Sequence, residues 1–159
     1  MLLTGARALR NGLARLWSGA MSLRPFHLAF AVNDLDAARG FYGGVLGCSE
    51  GRSSDRWIDF DFFGHQLVAH LGEDGARSIH NPVDGHDVPV PHFGVVLTVE
   101  QFEAVAARIV AAEVDFVIPP TVRFAELAGE QRTMFLRDPA GNAIEFKAFA
   151  DDAALFAMD

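Results

Sequence analysis

The sequence predicts an α+β fold made of two successive βαβββ modules, and three observations carry that prediction. An alternating apolar strand occurs twice, as Phe26-His27-Leu28-Ala29-Phe30-Ala31-Val32 and as Pro91-His92-Phe93-Gly94-Val95-Val96-Leu97. Each is followed by a capped amphipathic helix and then by three shorter strand candidates. The chain has 159 residues, 50% of them apolar and 21% charged, enough to bury one core and too apolar for disorder.

Residues 1–24 form an N-terminal extension that differs in kind from the rest. No acidic residue precedes Asp34, whereas Arg7, Arg10, Arg15 and Arg24 all fall before it. On a helix, Leu2, Leu9, Leu13, Leu16 and Trp17 gather on one side and Arg7, Arg10 and Arg15 on the other. Such a segment resembles a mitochondrial transit peptide. The expected location is therefore the mitochondrion if the extension is genuine, and the cytoplasm if Met21 is the true start.

The domain proper spans residues 25–149. In its first module, residues 25–71, Asn33 or Asp34 caps a helix that buries Leu35, Ala38, Phe41 or Tyr42, and Val45, and Gly47 stops it. Strands follow around residues 48–52, 57–63 and 66–71. Residues 72–90, rich in Gly, Asp, His and Pro, read as a long loop. The second module, residues 91–149, has Thr98 and Gln101 as a capping box for a helix buried through Phe102, Val105 and Ile109. Its strands fall near residues 115–123, 132–137 and 143–149, with Asp138-Pro139-Ala140-Gly141-Asn142 as turn chemistry. Residues 150–159 form a tail with a short amphipathic helix around 152–158.

Composition excludes several classes. With a formal charge of -8 and Lys147 as the single lysine, the chain offers no broad basic surface, so nucleic acid is not an expected partner. No run of about 18 apolar residues escapes interruption, so no ordinary membrane-spanning helix is expected. Cys48 is the only cysteine, which leaves neither an intrachain disulfide nor a Cys-rich zinc site. Any metal site must draw on His, Asp and Glu.

Strand alternation indicates which residues share a face. On the first strand Phe26, Leu28, Phe30 and Val32 suit packing under a helix, leaving His27, Ala29 and Ala31 opposite. The repeat strand divides alike, with His92, Gly94 and Val96 opposite Phe93, Val95 and Leu97, and the last strand sets Ala143, Glu145 and Lys147 opposite Ile144 and Phe146. Small residues beside ionisable groups on each strand describe a cavity wall. Burying two imidazoles and a carboxylate there without partners costs several kcal/mol, so something should bind them. His27, His92 and Glu145 make the donor set that holds non-haem Fe(II) with open positions, and Mn, Ni, Co or Zn accept the same ligands.

The paired modules, the histidine opening each, and Asp138-Pro139-Ala140-Gly141-Asn142 leading into Ile144-Glu145-Phe146 resemble the vicinal oxygen chelate superfamily, which includes glyoxalase I, extradiol dioxygenases, fosfomycin-resistance enzymes and bleomycin-binding proteins. Phe26-His27-Leu28-Ala29-Phe30, Gly64-His65-Gln66-Leu67-Val68-Ala69-His70-Leu71 and His80-Asn81-Pro82-Val83-Asp84-Gly85-His86-Asp87 look most like a small branch described as extradiol dioxygenases. The resemblance implies a half-open mixed β-barrel around a divalent metal, helices outside, with His27, His92 and Glu145 as ligands, and a homodimer. Aligning Gly64 on Gly141 places Val68 opposite Glu145, where glyoxalase-type members add a second carboxylate. Extradiol enzymes place a tyrosine on the strand before the ligating glutamate, and Thr133-Met134-Phe135-Leu136 has none.

The expected activity is a metal-dependent dioxygenase of ring-cleaving type, using Fe(II) and O₂ on a small oxygenated organic substrate. A glyoxalase-like isomerase or lyase is the alternative, and a metal-free drug-binding protein the third reading. His70 is the candidate acid/base, since a neutral-range imidazole suits proton transfer. Arg123, Arg132 and Lys147 are candidate anchors for an anionic substrate.

Overall fold

In a computed structural model, the structure describes residues 23–72, 79–127 and 129–156. Residues 1–22 of the predicted extension lie outside the described residues, as do the last three residues of the tail.

The first element of the described residues is β1 (His27–Val32), whose alternation packs Val32 inward while Ala29 and Ala31 stay exposed. Asp34 caps the next helix by accepting from the Asp36 and Ala37 amides. That helix, α1, starts as an α-turn over Leu35–Ala38 and widens to π-helical geometry over Arg39–Val45, closed by Leu46 donating to the Phe41 carbonyl at 3.0 Å. Phe41 and Tyr42 are both buried from this wider turn. Gly47, at φ 80°, ends it. Then come β2 (Ser49–Ser53), β3 (Trp57–Phe62) and β4 (His65–Leu71), giving a sheet of order β1-β4-β3-β2 with β1 parallel to β4.

The second module repeats this plan. β7 (Phe93–Leu97) leads into α2 (Val99–Ala111), and β8 (Phe116–Arg123), β9 (Gln131–Arg137) and β10 (Ala143–Ala148) complete a sheet of order β7-β10-β9-β8, with β7 parallel to β10. The Thr98–Gln101 capping box forms as expected. Ala29 pairs with Val68 on one sheet and Gly94 with Glu145 on the other, so the internal alignment that set Val68 against Glu145 holds in space. The two sheets stay separate, so the barrel is open.

The joining segment departs from expectation. Within residues 72–90, expected as a long loop, β5 (Ile79–Val83) and β6 (His86–Val90) pair as a hairpin. Its turn is Asp84-Gly85, both at positive φ (48° and 74°), a strong hairpin signal that the prolines at 82 and 89 obscured. The tail forms a short 3₁₀ turn, Asp152–Phe156.

The main core lies between the sheets and the helices, with Tyr42, Phe60, Phe62, Phe102, Ile109, Met134, Leu136, Ile144 and Phe146 almost wholly buried. Each such side chain contributes about 1.5–3 kcal/mol. The modules are also joined by polar contacts. Tyr42 donates to Asp138 at 3.0 Å, Asn142 donates to the Ala31 carbonyl at 2.9 Å, and Arg108 of α2 donates to the Val45 carbonyl at 2.8 Å at the end of α1. No helix among the described residues is long and apolar enough to cross a membrane.

Candidate metal centre

Parallel pairing of β7 with β10 puts Gly94 beside Glu145, and glycine is required there. A Cβ at Gly94 would collide with the backbone carbonyl of Glu145, so only a bare backbone lets β7 approach the strand that carries the carboxylate. Glu145 points to the sheet face opposite the helices and is 5% exposed. Its Oε1 accepts from Thr133 Oγ1 at 2.7 Å, while Oε2 lies 3.1 Å from His92 Nε2 and 3.5 Å from Lys147 Nζ. Burial pushes its carboxyl up, but the hydrogen bonds from His92 and Thr133 and the Lys147 charge outweigh that and hold it below the ordinary carboxylate value.

His92 is fixed on three sides. Its Nδ1 lies 2.7 Å from the Pro89 carbonyl, and its ring meets Phe135 edge-on at 5.1 Å. A carbonyl only accepts, so Nδ1 carries the proton and Nε2 is the atom presented to Glu145. A bare Nε2 facing a carboxylate oxygen needs a second proton or a cation between them. The hydrogen bond with Glu145 accordingly raises the His92 pKa, against the opposing effect of burial. That donor chemistry fits a divalent ion held by His92 and Glu145.

His27, the third predicted ligand, is not brought to this pair within one chain. It sits exposed at the start of β1 with Nδ1 2.8 Å from Gln66 Oε1, which again leaves Nε2 free. Among the described residues no group of three His, Cys, Asp or Glu is gathered closely enough to hold a metal. His70 lies exposed on β4, in register with Ala31 and Trp57, at the place matching Lys147 in the second module.

Only Lys147, of the three predicted anion anchors, lines the cavity beside the pair, a space of about 260 Å³ walled by His92, Gly94, Val96 and Glu145. Arg132 lies on the other face of its strand, ion-paired with Glu103 of α2, because alternation along β9 turns it away from Thr133. Arg123 shares the site face but is 4% exposed and donates to the Val83 carbonyl at 3.0 Å. A larger, mostly apolar cavity of about 600 Å³, between the start of β1 and the free edge of β7, includes Leu28, Phe62, Phe93 and Val95 and none of the predicted ligands. Its polar lining is His65, Gln66, Thr98, Gln101 and Asp152, whereas the smaller space holds His92 and Glu145 together. Pattern reading missed Thr133, Phe135 and the Pro89 carbonyl, although alternation from Glu145 across the β9–β10 turn marks the first two.

Residues 24–146 match the Glyoxalase/Bleomycin resistance protein/Dioxygenase superfamily. The chain belongs to that superfamily. A glyoxalase/bleomycin resistance protein/dioxygenase from Alicyclobacillus acidocaldarius is similar at 33% identity, covering 87% of this chain and 100% of its own, with a TM-score of 0.73. The fosfomycin resistance protein FosX from Listeria monocytogenes shares the fold at 19% identity, covering 82% of this chain and 96% of its own, with a TM-score of 0.59. A lactoylglutathione lyase from Agrobacterium tumefaciens does so at 19% identity, covering 89% and 99%, with a TM-score of 0.56. No curated protein matches the chain.

Proposed function

We propose that this chain is a divalent-metal-dependent enzyme of the vicinal oxygen chelate type, acting as a homodimer in which His92 and Glu145 of one copy and His27 of a second copy hold the metal. One observation carries the reading. Both repeat-related histidines have Nδ1 tied to an oxygen acceptor, the Pro89 carbonyl for His92 and Gln66 for His27, so each presents Nε2 as a metal ligand does. The open barrel and the exposed face of β1 leave room for a second copy to bring His27 in.

A bound divalent ion supplies Lewis-acid polarisation of neighbouring substrate oxygens. The chain supplies the rest. Thr133 fixes the carboxylate rotamer, Lys147 sets a positive charge at the cavity wall toward an oxyanion on the substrate, and Gly94 and Val96 keep that wall shallow enough for a compact organic molecule. His70, on the same sheet face as His27, is the group we assign to moving a proton. Fe(II) with O₂ in ring cleavage is the first chemistry to test. The redox-neutral isomerase or lyase is the second, favoured by the want of any phenol beside Glu145 on β9, whose site face there carries Thr133 and Phe135.

Elemental analysis of anaerobically purified protein tests this, beside His92→Ala. Near one Fe per chain, lost in the variant, supports the oxygenase, and O₂ uptake with catechol-like substrates follows. Ni, Zn or Mn instead favours the isomerase, and no metal even after reconstitution leaves a metal-free binder. The shared site has its own test, because His27→Ala and Glu145→Ala chains refolded together should regain metal that neither holds alone. For location, residues 1–24 fused to a fluorescent reporter should carry it to mitochondria, and a diffuse cytosolic signal removes that assignment.

A further inference from the structure

The β5–β6 hairpin lies outside the repeat and forms a two-stranded sheet of its own. An isolated two-stranded hairpin is marginal in water, so this one depends on what it docks against. It docks on the site face of the second sheet. Val88 is 5% exposed and packs with Ile118 and Phe135 in a cluster separate from the main core. Arg123 reaches across from β8 to donate to the Val83 carbonyl at 3.0 Å, and the Phe124 amide donates to Asp84 at 3.2 Å.

The same hairpin governs His92. Pro89 of β6 provides the carbonyl that takes the imidazole proton, and Phe135, against which Val88 packs, is the ring that meets His92 edge-on. Two of the three contacts that orient this histidine are thus made by the hairpin or through the ring it packs on. Glu145 makes the third. Arg123 Nε, buried and without a hydrogen bond, also lies 3.8 Å from Asp84 Oδ2, an ion pair that ties β8 to the hairpin turn. His27, the counterpart in the first module, is exposed among the described residues, with its Nδ1 on the Gln66 side chain.

We infer that the docked hairpin is the element that sets the ring orientation and tautomer of His92, with Val88 and Arg123 as the positioning residues through which it acts. The consequence for metal affinity rests on the metal reading above, whereas the geometry does not. Undocking the hairpin frees the ring to turn while both ligands stay in the chain. Replacing groups that orient a metal-bound histidine typically weakens metal affinity by about 10–100-fold.

The test uses the full chain as wild type, Val88→Asp, Arg123→Met and the conservative Val88→Ile. Two readouts are taken on each: Mn(II) affinity by calorimetry, and the ring nitrogen shifts of His92 by NMR at alkaline pH, where the neutral ring reports its tautomer. The expected result is a wild-type ring with its proton on Nδ1, a mixture of tautomers in Val88→Asp and Arg123→Met, Mn(II) affinity lowered by about 10–100-fold in both, and wild-type behaviour in Val88→Ile. If Val88→Asp does not fold, Arg123→Met decides alone. An unchanged tautomer overturns the inference, whatever happens to affinity. Should the wild type bind no Mn(II) while the variants still lose the tautomer, positioning stands and the metal reading falls.

Discussion

The faces of the two sheets share one backbone plan and differ in almost every side chain that matters. Position by position, Val68 stands where the second module has Glu145, His70 where it has Lys147, Asp59 where it has Phe135, and Ala29 where it has Gly94. In the first module His27, Ala29, Ala31 and His70 are exposed among the described residues. The second module gathers an acid, two hydrogen-bond donors and an imidazole in one place and roofs them with a hairpin. Repetition of a fold therefore does not repeat its chemistry. One half concentrates the charge, and the other keeps a histidine ready on an open face.

Breaking that contrast at its strongest point means exchanging the matched residues. Glu145→Ala should abolish metal binding, whereas Val68→Ala should leave stoichiometry unchanged, both by elemental analysis. A Val68→Ala protein without metal would show that the first module's face carries more of the site than its side chains indicate. Next is the glycine pair. Gly94→Ala should cost about 1–3 kcal/mol or more in urea unfolding and displace Glu145, because the new Cβ meets the neighbouring strand's backbone. Ala29, which already carries a Cβ at the matching place, should accept Ser with little change.

Tyr42→Phe tests the contact that holds the modules together. Losing the hydroxyl leaves a lone pair of buried Asp138 short of its donor, with an expected cost of about 1–3 kcal/mol in denaturant. Asn142 still donates to the same oxygen at 2.8 Å, which favours the lower end. The smallest effect is alkaline. Burial pushes the Cys48 thiol up to about 12, so the folded state prefers the protonated form. Its contribution is fully present below the unfolded pKa near 9.0 and is lost as pH rises toward about 12. Cys48→Ser should flatten the fall of Tm over that window without removing it, since Tyr42 is raised by burial and by Asp138 in the same sense.

How much was legible in the sequence follows from where the information lies. The two strand-helix openings, the Thr98–Gln101 box and the Asp138–Asn142 turn are local patterns, and each appears where it was read. The hairpin is signalled by Asp84-Gly85, whereas the Gly, Asp, His and Pro content of residues 72–90 reads as a loop. The opposition of Val68 and Glu145 was also legible, since an internal repeat carries its own alignment. Arg132 lies apart from Lys147 and beside Glu103 for a plain reason. A strand shows its alternation but not which of its faces meets the helix, and Glu103 of α2 settles that.

By itself the sequence determined the repeat, the caps and turns, and the face shared by Glu145 and Lys147, because all of these depend on residues near one another in the chain. Tertiary structure alone decided which donors meet. It set His92 against Glu145 across a parallel pairing that spans the whole second module, kept His27 on another sheet, buried Arg123 under the linker, and placed the Pro89 carbonyl to accept from His92 Nδ1. Such contacts depend on how sheets and hairpins pack, and no local periodicity encodes the distance between two faces.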